Sequence, residues 1–488
     1  MIARRVRFLG YAEHENRRNS TADASHPQSR QGALYGRLSR GKMIMGSSRP
    51  FSPRYVLQRC SFLLRVEDPI GLQDTVCMRQ YKLDELNAKR AIHVDRTTAT
   101  FVIRNGRLVL EDSICDGGYI YVEQGVIREI GQEESFSRTF ADRSITVFDA
   151  NNQWILPGFI DIHIHGGDGY EVMDGTIHAI EAISRFHARH GTTGWLPTTL
   201  TSQIADLDRV IHVAKRSAGR FHGGAQILGI HLEGPFISPK RCGAQNPQFV
   251  IPPSMDILKH LTSIAEGFVK KVTIAPELEG ALNAISWLTQ QGIIASLGHT
   301  DATFQQTLDA IAAGALQATH LFNAMRGLHH RGGGAVAAAL LTDDVVCEII
   351  ADGHHVSPEM MRLAYRLKGR DNMVLITDAM AAAGKADGDY KLGALDVIVQ
   401  DGVAVLKEGN HLAGSTLTMD EAIRNMVRKV GIDLRDAAYM AATVPARELG
   451  LAHTRGSIAV GKRADLVVLD EGLHVVATWI AGRQVFAR

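Results

Sequence analysis

The sequence predicts an α/β protein: a TIM-type (β/α)8 barrel carrying a small β-sandwich assembled from both ends of the structured chain. Three observations predict it. Between residues 156 and 384, eight short apolar strands alternate with helical stretches. Hairpin-like, β-rich stretches flank that middle on both sides. Imidazole and carboxylate residues recur where the apolar strands end, the face on which (β/α)8 barrels carry their chemistry.

The chain has 488 residues, 45% hydrophobic and 22% charged, a composition suited to a globular protein large enough for a barrel and a smaller domain. Residues 1–98 hold 18 Lys and Arg against 9 Asp and Glu; the remainder holds 35 against 43. The body is therefore mildly acidic, which argues against a nucleic-acid surface. No apolar run approaches the roughly 18 residues of a membrane span, so no membrane partner is expected. Five cysteines without paired spacing fit a reducing compartment. The Arg-rich stretch 1–98 reads either as a transit peptide or as a disordered, non-native extension from an upstream start codon.

Residues 99–155 form the expected first part of the sandwich. Thr100–Val109 reads as a hairpin with an Asn105-Gly106 turn, and Tyr119–Ile130 reads as another. The barrel follows over 156–384. Its strands are predicted at Phe159–His165, Gly194–Thr198, Gln226–Glu233, Lys271–Ala275, Ile293–His299, Gln317–Phe322, Val346–Ala351 and Met373–Asp378. Helices between them are punctuated by Ser357-Pro358-Glu359, with Pro at the first helical position, and by Gly314 and Gly369 at helix ends. Residues 385–412, with strand-turn-strand texture at Asp396–Leu406, are expected to be a sandwich hairpin inserted into the barrel. Residues 413–452 supply the last barrel helices, opened by a capping box at Thr418–Glu421, and 453–488 complete the sandwich.

The polar residues at the strand ends can now be read as chemistry. Strand one ends in His163 and His165, which face one way because side chains alternate along a strand. Strand three ends in Glu233, strand five in His299, strand six in His320 and strand eight in Asp378. Singly, each has an ordinary explanation as a satisfied buried polar group; together at one end of one barrel they point to a metal centre. Imidazole and carboxylate donors suit Zn²⁺, Fe²⁺ or another divalent ion at about 2.0–2.2 Å. Glu233, His299 and His320 suit one ion, and His163 with His165 a second that Glu233 would bridge. Asp378, standing apart on the last strand, suits a general base and then a general acid.

These residues resemble the amino-sugar-phosphate deacetylases of the amidohydrolase superfamily. The resemblance spans about 99–488 and is carried by Pro157–Asp161, His231–Phe236, Gly298-His299-Thr300, Thr319–Met325, Ala351–His355, Thr377–Met380 and Gly414–Leu417. It implies metal-dependent hydrolysis of the N-acetyl group of N-acetylglucosamine 6-phosphate, giving glucosamine 6-phosphate and acetate in the cytoplasm. Glu233, His299 and His320 would be the main ligands, with Asp378 the acid and base. Some members lack the strand-one histidine pair and use one metal. This chain has the pair, so one or two ions per subunit are implied. Ala244, Gln245, Asn323, Ala324 and the turn Leu412-Ala413-Gly414 would line the sugar pocket. Arg331 and His355 would meet the phosphate, Arg331 reaching from a neighbouring subunit of a homodimer.

One position departs from the pattern: relatives usually carry His where this chain has Gln245. Gln still offers an N–H toward the acetyl carbonyl but cannot carry positive charge. Arg331 also fits a solvated loop, and His231 reads as structural. Rival readings are a different amidohydrolase or a non-catalytic barrel scaffold. Strand four, ending Thr273–Glu277, lacks the metal-bridging lysine common in other amidohydrolases, and scaffolds usually lose ligands that this chain keeps.

Overall fold

The computed structural model describes residues 100–488 apart from 141–144 and 221–222; the predicted extension 1–98 lies outside the described residues. The architecture is mixed α/β. β1 (Phe159–Ile164) pairs in parallel with β2 (Thr192–Pro197), which also pairs the short strand Gln226–Ile227. A second parallel sheet runs β3 (Ile230–Glu233), β4 (Val269–Ile274), β5 (Ile294–Leu297), β6 (Gln317–Ala318), β7 (Val346–Ile350) and β8 (Met373–Ile376), each beside the next. Isolated parallel bridges tie Thr198, just after β2, to His231 of β3, and Ile164 of β1 to Ala379, just after β8, so the two sheets are linked at both ends.

These segments are strands because they are short, β-branched and apolar on both faces. Every residue of β1, β2, β3, β5, β7 and β8 is buried, as expected where helices cover a parallel sheet. The predicted third strand is broken in the middle, where Gly229 takes φ 155°.

Helices α1 (Ile177–Arg189), α2 (Ile204–Ser217), α3 (Met255–Ala265), α4 (Ala281–Gln290), α5 (Phe304–Ala312), α6 (Gly334–Leu341) and α7 (Pro358–Lys368) alternate with the strands. Their buried faces make two large apolar cores with the strands, one around Leu196, Ile349 and Leu375 and one around Trp195, Ile274 and Leu288. Thr303 caps α5 with Gln306 in a reciprocal capping box. The box expected at Thr418 does not form. The Thr418 hydroxyl instead donates to Asp420 Oδ1, and Asp420 is already held by Arg424 and His190.

An eight-stranded sheet gathers both ends of the described chain. Its order is Arg483–Ala487, Val475–Ile480, Leu466–Leu469, Trp154–Pro157, Phe101–Val109, Ile114–Glu123 and Val126–Gln132, with Thr146–Asp149 also on Phe101–Val109. Phe101 stacks on Trp479 at 6.0 Å, so residues far apart in sequence share one core. Asn105-Gly106 is not the expected hairpin turn. It is an irregularity within one strand, Asn105 at φ 51°, because pairing with Ile114–Glu123 continues on both sides. Residues Gly388–Leu406 do not join this sheet. They form their own antiparallel three-stranded sheet, whose Val397, Val399 and Ala404 pack on Leu200, Met380 and Ala413. That contact sets the turn at 412–414 over the strand ends.

Candidate active site

Six residues converge at the C-terminal strand ends, in two groups whose ligand atoms lie close together: His163, His165 and Asp378, and Glu233, His299 and His320. All six are buried. Asp378 does not stand apart as expected: its Oδ1 lies 3.4 Å from His163 Nε2 and 3.1 Å from His165 Nε2. Glu233 sits between the groups. Its Oε1 is 3.4 Å from His163, 3.2 Å from His299 and 3.1 Å from His320, and its Oε2 is 3.2 Å from His165.

The strands stop abruptly here. His299, His320 and Asp378 adopt φ of 46°, 30° and 52°, sparsely populated for residues with a Cβ and concentrated at functional sites. Gly414, at φ 60°, lets the 412–414 turn close over Asp378; a Cβ there would lie 3.1 Å from the Asp378 carbonyl oxygen.

The hydrogen bonds fit a cation in the middle. His165 Nδ1 faces the Thr198 carbonyl at 3.2 Å and His299 Nδ1 faces the Arg241 carbonyl at 3.0 Å. A carbonyl only accepts, so both Nδ1 atoms carry the proton, and in neutral rings both Nε2 lone pairs turn inward. There Nε2 meets Nε2, at 3.2 Å for His163 and His165 and 3.1 Å for His299 and His320, with carboxylate oxygens around them. Lone pairs aimed at lone pairs need positive charge between them. Protons can supply that charge: burial disfavours charged imidazoles, yet Glu233 and Asp378 outweigh it, holding His163 up to about 10 and His165 up to about 9. Burial pushes Asp378 up, but His163 and His165 overcome it and hold its carboxyl down to about 2. The donors are nitrogen and oxygen only, the set that suits zinc and similar divalent ions.

A cavity of about 340 Å³ opens onto this cluster. Ala244, Gln245, Asn323, Ala324, His355, Leu412 and Gly414 line it beside His165, Glu233, His299, His320 and Asp378. Ala413 is buried behind the turn. His355 is held by Asp352, whose Oδ2 is 2.6 Å from its Nδ1 and raises its pKa against burial. Arg331 is not brought to the cavity. It is exposed in the loop before α6, its Nη1 2.7 Å from His330 Nε2. Gln245 does not project freely either. Its Oε1 accepts the Thr201 N–H at 2.6 Å and its Nε2 donates to Glu233 Oε2 at 2.7 Å. His231 is structural in its contacts, pairing with Thr273 Oγ1 at 2.8 Å.

Sequence reasoning passed over Lys240, Arg241 and His411, which also line the cavity, and over Lys271 and Glu348, an ion pair buried beneath it. The signal for that pair was present: Glu348 is the one charged residue in β7, and β4 carries two lysines, of which Lys271 is buried.

Residues 154–485 match the family model described as Amidohydrolase family. The N-acetylgalactosamine-6-phosphate deacetylase of Escherichia coli O157:H7 is 39% identical, over 79% of this chain and 99% of that one. The N-acetylglucosamine-6-phosphate deacetylase of Bacillus subtilis (strain 168) is 37% identical, over 79% and 97%. A mutant of the Mycobacterium smegmatis N-acetyl-D-glucosamine-6-phosphate deacetylase, solved with N-acetyl-D-glucosamine-6-phosphate, superposes with a TM-score of 0.74 at 35% identity, over 80% of this chain and all of that one. The chain belongs to the amidohydrolase family, in the branch of its amino-sugar-phosphate deacetylases.

Proposed function

We propose that this protein hydrolyses the N-acetyl group of N-acetylglucosamine 6-phosphate, releasing acetate and glucosamine 6-phosphate. The observation that carries the reading is the Glu233-centred cluster, open to a cavity large enough for a sugar phosphate. Glu233, His299 and His320 would hold one divalent ion, zinc by donor type, and His163, His165 and Asp378 would hold a second. Bound there, the cation supplies Lewis acidity to the amide carbonyl and acidifies water. Asp378 faces the cavity, takes the attacking water's proton on its carboxylate and returns it to the leaving amine nitrogen. Gln245 holds the Glu233 carboxylate in place from the cavity side. Asn323, the Ala324 backbone and the 412–414 turn bind the sugar.

His355 meets the phosphate, and Arg331, held away from its own cavity, serves a neighbouring copy in a homodimer; a guanidinium fork suits a phosphate. The parallel strands β1–β8 form a closed (β/α)8 barrel over 156–384, the bridges at Thr198–His231 and Ile164–Ala379 supporting closure. Residues 99–155 and 453–488 form a second domain, 385–412 an inserted hairpin sheet and 413–452 the last barrel helices. Because its substrate is a phosphorylated sugar, the reading assigns the enzyme to the cytoplasm. No helix among the described residues is long and apolar enough to cross a membrane.

The test is acetate release from N-acetylglucosamine 6-phosphate, before and after chelation, beside the unphosphorylated sugar. Chelator-sensitive release only with phosphate present is expected. Release from both sugars would remove the phosphate pocket, and release from neither would remove the activity. The Escherichia coli relative favours a second reading, the galactosamine epimer as substrate, which the same assay decides when N-acetylgalactosamine 6-phosphate is run beside the two sugars.

A further inference from the structure

We propose that Glu348 and Lys271, the ion pair beneath the cluster, are positioning residues that aim His163 at the ion of the His163–His165–Asp378 group. The inference rests on the metal reading above. Both side chains are fully buried, Glu348 on β7 and Lys271 on β4, and the two are in direct contact. An ion pair this deep is a poor device for stability. Its desolvation offsets most of the attraction, and apolar replacements of the same volume are often neutral or stabilising. Something other than stability must account for it.

The geometry says what. Glu348 Oε1 takes the Lys271 ammonium, leaving Oε2 for the site. Oε2 faces His163 Nδ1 at 3.3 Å and accepts the backbone N–H of His320 at 3.2 Å. A carboxylate only accepts, so His163 carries its proton on Nδ1 and its Nε2 lone pair turns toward His165 and Asp378. The same oxygen tethers the backbone of His320, which sits at φ 30°. One carboxylate thereby fixes one member of each ligand group.

His163 is the histidine of the four with a carboxylate behind it. His165 and His299 use backbone carbonyls, and His320 Nδ1 has no hydrogen-bond partner among the described residues. The effect must therefore fall chiefly on the His163 group. Lys271 holds the Glu348 carboxylate in its rotamer from below. Neither side chain lines the cavity, so neither touches substrate.

The experiment titrates the metal-free full-length protein with Co²⁺ against a chelating indicator, counts bound ions, and records the cobalt absorption spectrum. Wild type is compared with Glu348→Gln, with the charge-neutral Glu348→Gln/Lys271→Met pair, and with His163→Ala alone and added to that pair. Removing a carboxylate behind a metal-bound histidine typically weakens the metal about 10- to 100-fold. The ion that His163→Ala weakens should lose affinity by about that factor in the folded double variant, with its part of the spectrum, while the other ion changes far less. In the His163→Ala background the pair should add nothing further.

Unchanged affinity for both ions in a folded variant overturns the proposal, as does an additive effect beside His163→Ala. Failure of both Glu348 variants to fold makes the pair a core element and also overturns it. A wild type that binds no ion refutes the metal reading instead, and a wild type whose single ion ignores His163→Ala refutes the His163 site and the proposal with it.

Discussion

Replacing Gln245 by alanine removes two hydrogen bonds at once, and their loss can be worked from the geometry. The side chain is 4% exposed and bridges the Thr201 N–H and Glu233 Oε2 at 2.6 and 2.7 Å. A bond to a backbone amide is worth about 1 kcal/mol and one to a carboxylate about 1.5–3 kcal/mol, together about 2.5–4 kcal/mol. Water from the adjoining cavity can reach both orphaned groups, so the expected loss in the metal-free protein is about 2 kcal/mol. Residues 100–488 carry an unfolding entropy of about 0.8 kcal/mol/K, so the apparent melting temperature should fall about 2–3 °C.

Histidine at 245 behaves differently. A neutral imidazole has one acceptor and one donor nitrogen, spaced much like an amide's oxygen and nitrogen, and can serve both partners. Gln245→His should therefore stay within about 1 °C of wild type and retain acetate release, because the neutral ring keeps both bonds. Calorimetry of the metal-free variants, followed by the acetate assay on loaded protein, decides it. A Gln245→Ala melting curve identical to wild type, or a Gln245→His curve that falls as far as alanine's, would refute the bridging argument.

Asp378→Asn keeps the shape of the side chain but removes its capacity to hold a proton. Acetate release should fall about 10²- to 10⁴-fold while the ion at Glu233, His299 and His320 is retained; a rate within tenfold of wild type removes Asp378 from proton transfer. Arg331→Ala should raise KM for the phosphorylated sugar. Co-expressing it with Asp378→Asn should restore activity if the arginine serves a neighbour, since a mixed dimer then contains one complete site. No restoration returns Arg331 to its own chain or to the solvent. Glu171 tests pH linkage. Burial pushes its carboxyl up to about 7, partly opposed by the Gly393 N–H that both oxygens accept. In the unfolded chain it titrates near 4.3. Between those values the folded state holds a proton the unfolded state has lost, so this contribution to stability is full below about pH 4.3 and gone above about pH 7. Wild-type melting temperature should fall more between pH 5 and pH 8 than that of Glu171→Gln; parallel profiles would contradict the assignment.

The six clustered residues were legible as a set because each sits at or just after the end of an apolar strand. His163 and His165 follow Phe159–Ile162, and His299 follows Ile294–Leu297, so period and position together marked them. Local rules erred where long-range pairing overrode them. Asn105-Gly106 is strong turn chemistry, yet a strand formed through it because Ile114–Glu123 supplied partners on both sides. Thr418 had the spelling of a capping box, but Asp420 captured its hydroxyl.

By itself the sequence determined the alternation of strands and helices, the set of imidazole and carboxylate donors, and their place at the strand ends. These follow from side-chain period and residue type, which are local. Only the tertiary structure decided that Glu233 touches all four histidines, that Asp378 lies against His163 and His165, that Gln245 is held by Thr201 and Glu233, and that Lys271 and Glu348 meet beneath the site. Those are distances between strands far apart in the chain, set by how the sheets pack and curve, and no local period encodes them.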